Sequence, residues 1–284
     1  MLSIRTNNAA VAAANATNNA SRAANTAQTR LATGYRINSA QDDAAGLQIA
    51  TRLKSQTSGM AVAMRNVQND ISLMQVASGA VGSIVSLFGR MHDLAIQAAD
   101  ASSTPTDKDA LQTEFVELFQ EVWNVVGTKY NGEDLFTSQP PNNHAKLFYP
   151  IQMQIGESST DSMTVNFQPQ LIGTFDSLKY DNSALETVLT QNASAAIDDT
   201  VNAINAWSTL GSAMGAVSNS LQHSYQNLAN MSTNTTAAAG RIMDTDYAAE
   251  SANATSAQML EQSSTAMLKQ SNSLSALILS LVQG

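Results

Sequence analysis

The 284-residue chain is 43% hydrophobic but only 5% aromatic and 13% charged, with no cysteine and a formal net charge of −9. That length allows one or two domains with a buried core. The lack of cysteine excludes a disulfide framework, a thiolate metal site and a cysteine nucleophile. The acidic balance argues against nucleic acid as main partner. With His92, His144 and His223 scattered singly, the composition points away from an enzyme, and no cofactor or metal site is expected.

In chain order, the first residues, Met1-Leu-Ser-Ile-Arg-Thr-Asn-Asn, lack the basic and apolar regions of a cleavable secretory signal. Residues 5–30 hold Val11 as their only large aliphatic side chain among Ala, Asn, Thr, Ser and Arg. So poor a stripe cannot offset the cost of ordering a lone helix, about 1–2 kcal/mol per residue. Both ends are therefore expected to be poorly ordered in a free monomer and to become helical as neighbouring copies pack on them. From Met64 the apolar spacing is helical: Val67, Ile71, Met74, Val81, Val85, Phe88 and Met91 follow in steps of three and four, broken at Ser78. A capped helix is predicted over 106–127, with Thr104, Pro105 and Asp107 at its start. Its apolar face is Leu111, Phe115, Leu118, Phe119, Val122 and Val126.

Asn131-Gly132 then reads as a turn. The period changes to two over Leu147–Ile155 and Met163–Phe167, with 156–161 between them as a hairpin loop. All five prolines lie between Pro105 and Pro169, so both long arms lack the strongest helix breaker. Trp207, Leu210, Met214, Val217, Leu221, Leu228 and Met231 restore the helical stripe, and Leu260, Met267, Leu274 and Leu281 are spaced seven apart, joined by Ala257 and Ile278. No uninterrupted apolar run reaches the length of a membrane span, so membrane insertion is not expected. Charge is split between +5 over residues 1–65 (seven basic, two acidic) and −14 over the rest (seven basic, 21 acidic). The fold class expected is mainly α: a long antiparallel helical bundle or coiled coil from both chain ends, with a small β-hairpin region in the middle.

Two long motifs carry a family resemblance. Leu31-Ala-Thr-Gly-Tyr-Arg-Ile-Asn-Ser-Ala-Gln-Asp-Asp-Ala-Ala-Gly-Leu-Gln-Ile-Ala50 resembles the N-terminal signature of bacterial flagellin. Arg241-Ile-Met-Asp-Thr-Asp-Tyr-Ala-Ala-Glu250, followed by Gln258-Met-Leu, is similar to the C-terminal one. Tyr130-Asn-Gly132 and Gln154-Ile-Gly-Glu157 resemble central features of the family. The resemblance implies a minimal flagellin without large outer domains, a secreted structural subunit that polymerises into the extracellular motility filament. It implies an N-terminal inner-core helix over 1–33, a spoke over 34–46 and an N-terminal rod part with a β-hairpin over 47–180. A C-terminal rod part over 181–240 and a C-terminal inner-core helix over 241–284 complete the implied order. Ile4, Val11, Leu260, Met267, Leu274, Ile278 and Leu281 are the expected assembly residues. Arg36, Asn38, Asp42, Asp43, Arg241, Asp244 and Asp246 belong to the spoke and terminal motifs. Arg36 is expected to pair with one of the aspartates, and Asn38 or Ser39 to cap the next helix.

The implied partners are other copies, an export chaperone of the flagellar type III apparatus, and cap and junction proteins. Arg90, Leu94, Gln97 and Glu114 match a rod patch read by an animal Toll-like receptor, although Met91-His92-Asp93 departs from its more basic variant. The alternatives are a hook–filament junction protein and a filament protein acting mainly as a host-receptor ligand or adhesin. No His-Glu-x-x-His occurs, so the zinc-protease insert of rare enzymatic flagellins is absent, as are a glycine-rich phosphate loop and a serine nucleophile elbow.

Overall fold

The structure is a computed structural model that describes residues 7–136, 145–176, 178 and 185–283, the side chains of 275, 276 and 278–283 apart. It is mainly α. The helices are α1 (Asn8–Thr33), α2 (Ala44–Ala99), α3 (Pro105–Val126), α4 (Gln168–Asp176), α5 (Val188–Met243) and α6 (Tyr247–Gln283). Strands β1 (Lys129–Tyr130) and β2 (Glu133–Asp134) form one antiparallel pair, and β3 (Ile151–Gln154) and β4 (Ser162–Val165) another. The chain divides into two compact units, one of residues 1–57 with 233–284 and one of residues 58–232. The divisions fall inside α2 and α5, whereas the sequence places changes of domain at 46/47 and 240/241.

The unit 58–232 holds the large apolar side chains. Val67, Ile71, Met74, Val81, Phe88 and Met91 are buried along α2, and Ala77 carries the seam past the exposed Ser78. Trp207, Leu210, Met214, Leu221 and Leu228 are buried along α5, and Met231 lies beyond the core, exposed. Measured over a window rather than an unbroken run, α2 is long and apolar enough to cross a membrane, a segment the count of runs passes over. Its stripe from Met60 to Ala98 instead lies in this core, the use a packed helix makes of such composition.

Helix α3 begins on a reciprocal capping box: the Asp107 N–H donates to the Thr104 hydroxyl oxygen while the Asp107 carboxylate accepts from the Thr104 N–H. Phe115, Phe119, Val122 and Val126 are buried on its predicted face. Asn131 (φ 54°) and Gly132 (φ 83°) join β1 to β2 in a left-handed two-residue turn, which suits the twist of a hairpin. The β3–β4 register runs from Ile151 opposite Val165 to Gln154 opposite Ser162. The predicted alternation starts at Leu147, but the strand starts at Ile151, because residues 145–148 close a turn (Phe148 N–H to Ala145 O, 3.2 Å) and Pro150 has no N–H to pair. Helix α4 was not expected; Pro169 sits in its first turn, where a missing N–H costs nothing, and Leu171 is buried. Near its start α5 breaks at Asn192 (φ −150°), whose side chain accepts from the Ala195 N–H and begins the helix again.

In the other unit α1 and α6 lie antiparallel against each other. The sequence leaves these ends without helix until further copies arrive; the structure has both as helices within a single chain, each the other's first partner.

Candidate functional site: the paired terminal helices

Three polar ties set the register of α1 on α6. At one end Asn7 Nδ2 donates to the Ser271 carbonyl and the Ser271 hydroxyl to Asn7 Oδ1, both at 3.1 Å. In the middle the Thr17 hydroxyl donates to Ser264 Oγ at 3.0 Å. At the other end Arg30 Nη1 lies 3.5 Å from Glu250 Oε1, with Glu250 buried and Arg30 partly so. The paired numbers fall on one side as they rise on the other, as antiparallel helices of equal rise require. None of these ties is legible in the sequence, where Asn, Thr and Ser are scattered too densely to mark a spacing. The residues buried here are small: Ala20 and Ala27 on α1 and Ala257 on α6.

Between the two helices runs a groove of about 1030 Å³, lined by alanines, Ser256, Ser263 and Ser264, with Arg30 and Glu250 at one end and Leu260 and Met267 further along. Val11, Leu260, Met267 and Leu274 are each more than half exposed, as are Met259 and Leu277. Thus the side chains most deeply buried where α1 meets α6 are small, while Leu260 and Met267 line the groove and remain largely exposed. Of the remaining expected assembly residues, Ile4 lies outside the described residues, as do the side chains of Ile278 and Leu281.

The turn from α1 to α2 is built on backbone contacts with the end of α5. Gly34 ends α1 in the left-handed conformation (φ 76°), its N–H donating to Arg30 O at 2.8 Å. Tyr35 then bridges Asp244, with the Arg36 N–H donating to Met243 O and the Thr245 N–H to Gly34 O. The predicted ion pair of Arg36 is not found: among the described residues its guanidinium donates instead to the Ile242 carbonyl at 2.8 Å. The last carbonyls of a helix carry partial negative charge and lack intrahelical donors, so they attract the cation.

The aspartates are taken up elsewhere. Asp42 Oδ2 accepts from the N–H groups of Asn38 and Ser39, which hold its carboxyl below the usual range, Ser39 contributing most. Asp43, rather than Asn38 or Ser39, caps α2 by accepting from the Gly46 N–H at 2.8 Å, while Asn38 Nδ2 donates to Tyr35 O. Asp246 caps α6 through Ala248 and Ala249, and the Asp244 N–H donates to Gly240 O. Arg241 is exposed in the last turn of α5. Ile37, which the sequence reading does not single out, is buried here, and a Cβ on Gly46 would come within 2.7 Å of it.

The family model for the bacterial flagellin N-terminal helical region matches residues 4–139, and the one for the C-terminal helical region matches residues 195–282. The chain belongs to the bacterial flagellin family. A flagellin of Halalkalibacterium halodurans is 34% identical over 265 residues, covering 90% of this chain and 91% of that protein. The Bacillus subtilis flagellin is 32% identical over 270 residues, covering 86% and 87%. A crystal structure of Bacillus cereus flagellin covers 62% of this chain and 94% of its own at 30% identity, with a TM-score of 0.46. This flagellin is a structural subunit of the flagellar filament, which lies outside the cell. Neither the junction-protein nor the receptor-ligand alternative gains better support.

The receptor patch inferred for this flagellin is only partly a surface. Arg90 Nε and Nη2 both donate to Glu114 Oε1, at 2.9 and 2.7 Å, and this pair and Gln97 are exposed. Leu94 has no exposed area: it shares the Arg90 face of α2, but there it enters the core that α2 and α3 build together.

Proposed function

We propose that the exposed apolar side chains of α1 and α6 form the surface by which one flagellin binds the next in the filament wall. Val11, Leu260, Met267 and Leu274 act as anchors, joined by Ile4, Ile278 and Leu281. The observation that carries this reading is the heptad row Leu260, Met267 and Leu274, each more than half exposed, the first two lining a groove otherwise walled by small and polar side chains. Burying such a side chain contributes about 1.5–3 kcal/mol, and a contiguous exposed apolar face marks an interaction surface. Repeated head-to-tail, such a contact does not close and generates an open helical polymer. The Gly34–Gly46 segment and the 241–246 motif serve as the spoke of the subunit, Arg36 and Asp42 acting through main-chain groups. Export as an unfolded chain through the type III apparatus, with a chaperone, a distal cap and junction proteins as partners, is favoured by the absence of cysteine, since no cross-link can hold a loop closed.

The double variant Leu260→Asp with Leu274→Asp tests the assembly surface. Electron micrographs are expected to contain no filaments at concentrations where the unaltered protein polymerises, while the thermal transition of the monomer is retained. Normal filaments from that variant would sink the proposal.

A further inference from the structure

The chain has 12 methionines and no cysteine, so thioether sulfur is its only oxidisable sulfur. Their burial sorts them sharply. Met60, Met74, Met91, Met153 and Met214 are at most 2% exposed, and Met64, Met163 and Met243 are partly buried. Among the described residues only Met231 (45%), Met259 (59%) and Met267 (63%) stand clear. Two of these three sit on α6, Met267 in the exposed row seven residues beyond Leu260 and Met259 next to Leu260 in the chain, while Met231 lies on α5 in the unit 58–232. Susceptibility to oxidation follows exposure, and a sulfoxide turns a flexible apolar side chain into a polar one.

We infer that Met259 and Met267 form an oxidation site on the unassembled subunit, at which a peroxide controls whether the subunit can polymerise. The sulfur lone pair attacks one peroxide oxygen; the S–O bond forms as the O–O bond breaks. Sulfur loses two electrons to the peroxide, and the second oxygen leaves as water after a proton shift. No thiol is needed, and reduction by a methionine sulfoxide reductase restores the thioether. The sulfoxide oxygen is a strong acceptor that must give up water when the next copy covers it. That loss of water, and of the apolar contact the thioether would have made, weakens the joint. In the free subunit the same oxygen stays in water and the fold is untouched. This inference rests on the assembly surface proposed above.

The test treats purified full-length subunit with hydrogen peroxide, locates sulfoxides by tandem mass spectrometry and measures the critical concentration for polymerisation. Met231, Met259 and Met267 are expected to oxidise first, the critical concentration to rise by roughly tenfold, and sulfoxide reductase to return it. Met259→Leu with Met267→Leu is expected to have the same critical concentration after peroxide as before it, whereas Met231→Leu remains as sensitive as the unaltered chain. An unchanged critical concentration after sulfoxides form at both positions overturns the inference, as does a double-Leu variant that still loses polymerisation. If the Leu260→Asp, Leu274→Asp variant fails to polymerise while the doubly oxidised protein assembles normally, the assembly surface stands and this inference alone falls. If that variant assembles normally, the assembly surface falls first.

Discussion

Several aspartates in this flagellin work on main-chain N–H groups rather than on cations. Asp42, Asp43, Asp107 and Asp246 each accept from backbone donors at a turn or helix start. The Thr104 hydroxyl, followed by its N–H, holds the Asp107 carboxyl below its ordinary range. This is why the aspartates around Arg36 could be placed from the sequence but not paired: a neighbouring N–H is already in position, while a distant guanidinium must first be ordered. Asp70 on α2 is the opposite case. Partial burial pushes its carboxyl up, and the attraction of Lys146 only partly offsets that. A carboxyl raised in the folded state is a cost of folding at neutral pH, and the cost disappears as pH falls through the folded value toward the ordinary 3.8. Asp70→Asn is therefore expected to raise Tm by about 2 °C at pH 7. In thermal melts from pH 7 to pH 3 the gain should shrink to nothing near the acid end. A gain that persists at pH 3 would mean that packing, rather than ionisation, is responsible.

The long elements follow from periodicity, because side chains at steps of three and four must share a face and only one face of α2, α3 and α5 is apolar. The joints follow less well. Residues 185–192, where α5 begins and breaks, are held by Gln112 of α3, a buried side chain that the apolar pattern of that helix passes over. Its Nε2 donates to Leu185 O and its Oε1 accepts from the Leu189 N–H, both at 2.6 Å. One amide thus satisfies a donor and an acceptor that the interrupted helix leaves open. A single Gln between Leu111 and Phe115 carries no sign of this in the sequence, since its partners lie more than 70 residues away. Gln112→Ala would leave both main-chain groups buried and unpaired, at about 1–3 kcal/mol each. Urea unfolding is expected to register a loss of about 2–4 kcal/mol, with protease cleavage appearing first between 185 and 192. A loss below about 0.5 kcal/mol, the level of an ordinary surface substitution, would mean that water or other groups replace the amide.

Across the whole chain, the shortage of aromatic and charged residues is not spread evenly. Every large side chain of the main core lies between Met60 and Leu228, so residues 58–232 have the means to fold by themselves. The terminal helices bury chiefly alanine against each other and are tied by three hydrogen bonds and one ion pair, while Leu260, Met267 and Leu274 remain largely exposed. Apolar spacing alone could not separate these two situations, because a heptad row reads the same whether its partner is the same chain or another copy. A chain of residues 58–232 alone should then retain a cooperative thermal transition within about 5 °C of the full-length monomer, since few of the lost contacts contribute to its core. It should form no filaments at any concentration, because the face proposed to bind other copies has been removed. The full-length protein with Glu250→Ala provides the complementary measurement. Arg30, partly buried and without its counter-charge, would loosen α1 from α6, which destabilises a buried pair by about 3–5 kcal/mol when the pair is fully enclosed and by less at this partly exposed site. Amide exchange is expected to accelerate in 8–33 and 247–270 and to stay unchanged in 58–232. Faster exchange throughout 58–232 would mean that the terminal pair and the core fold as one unit.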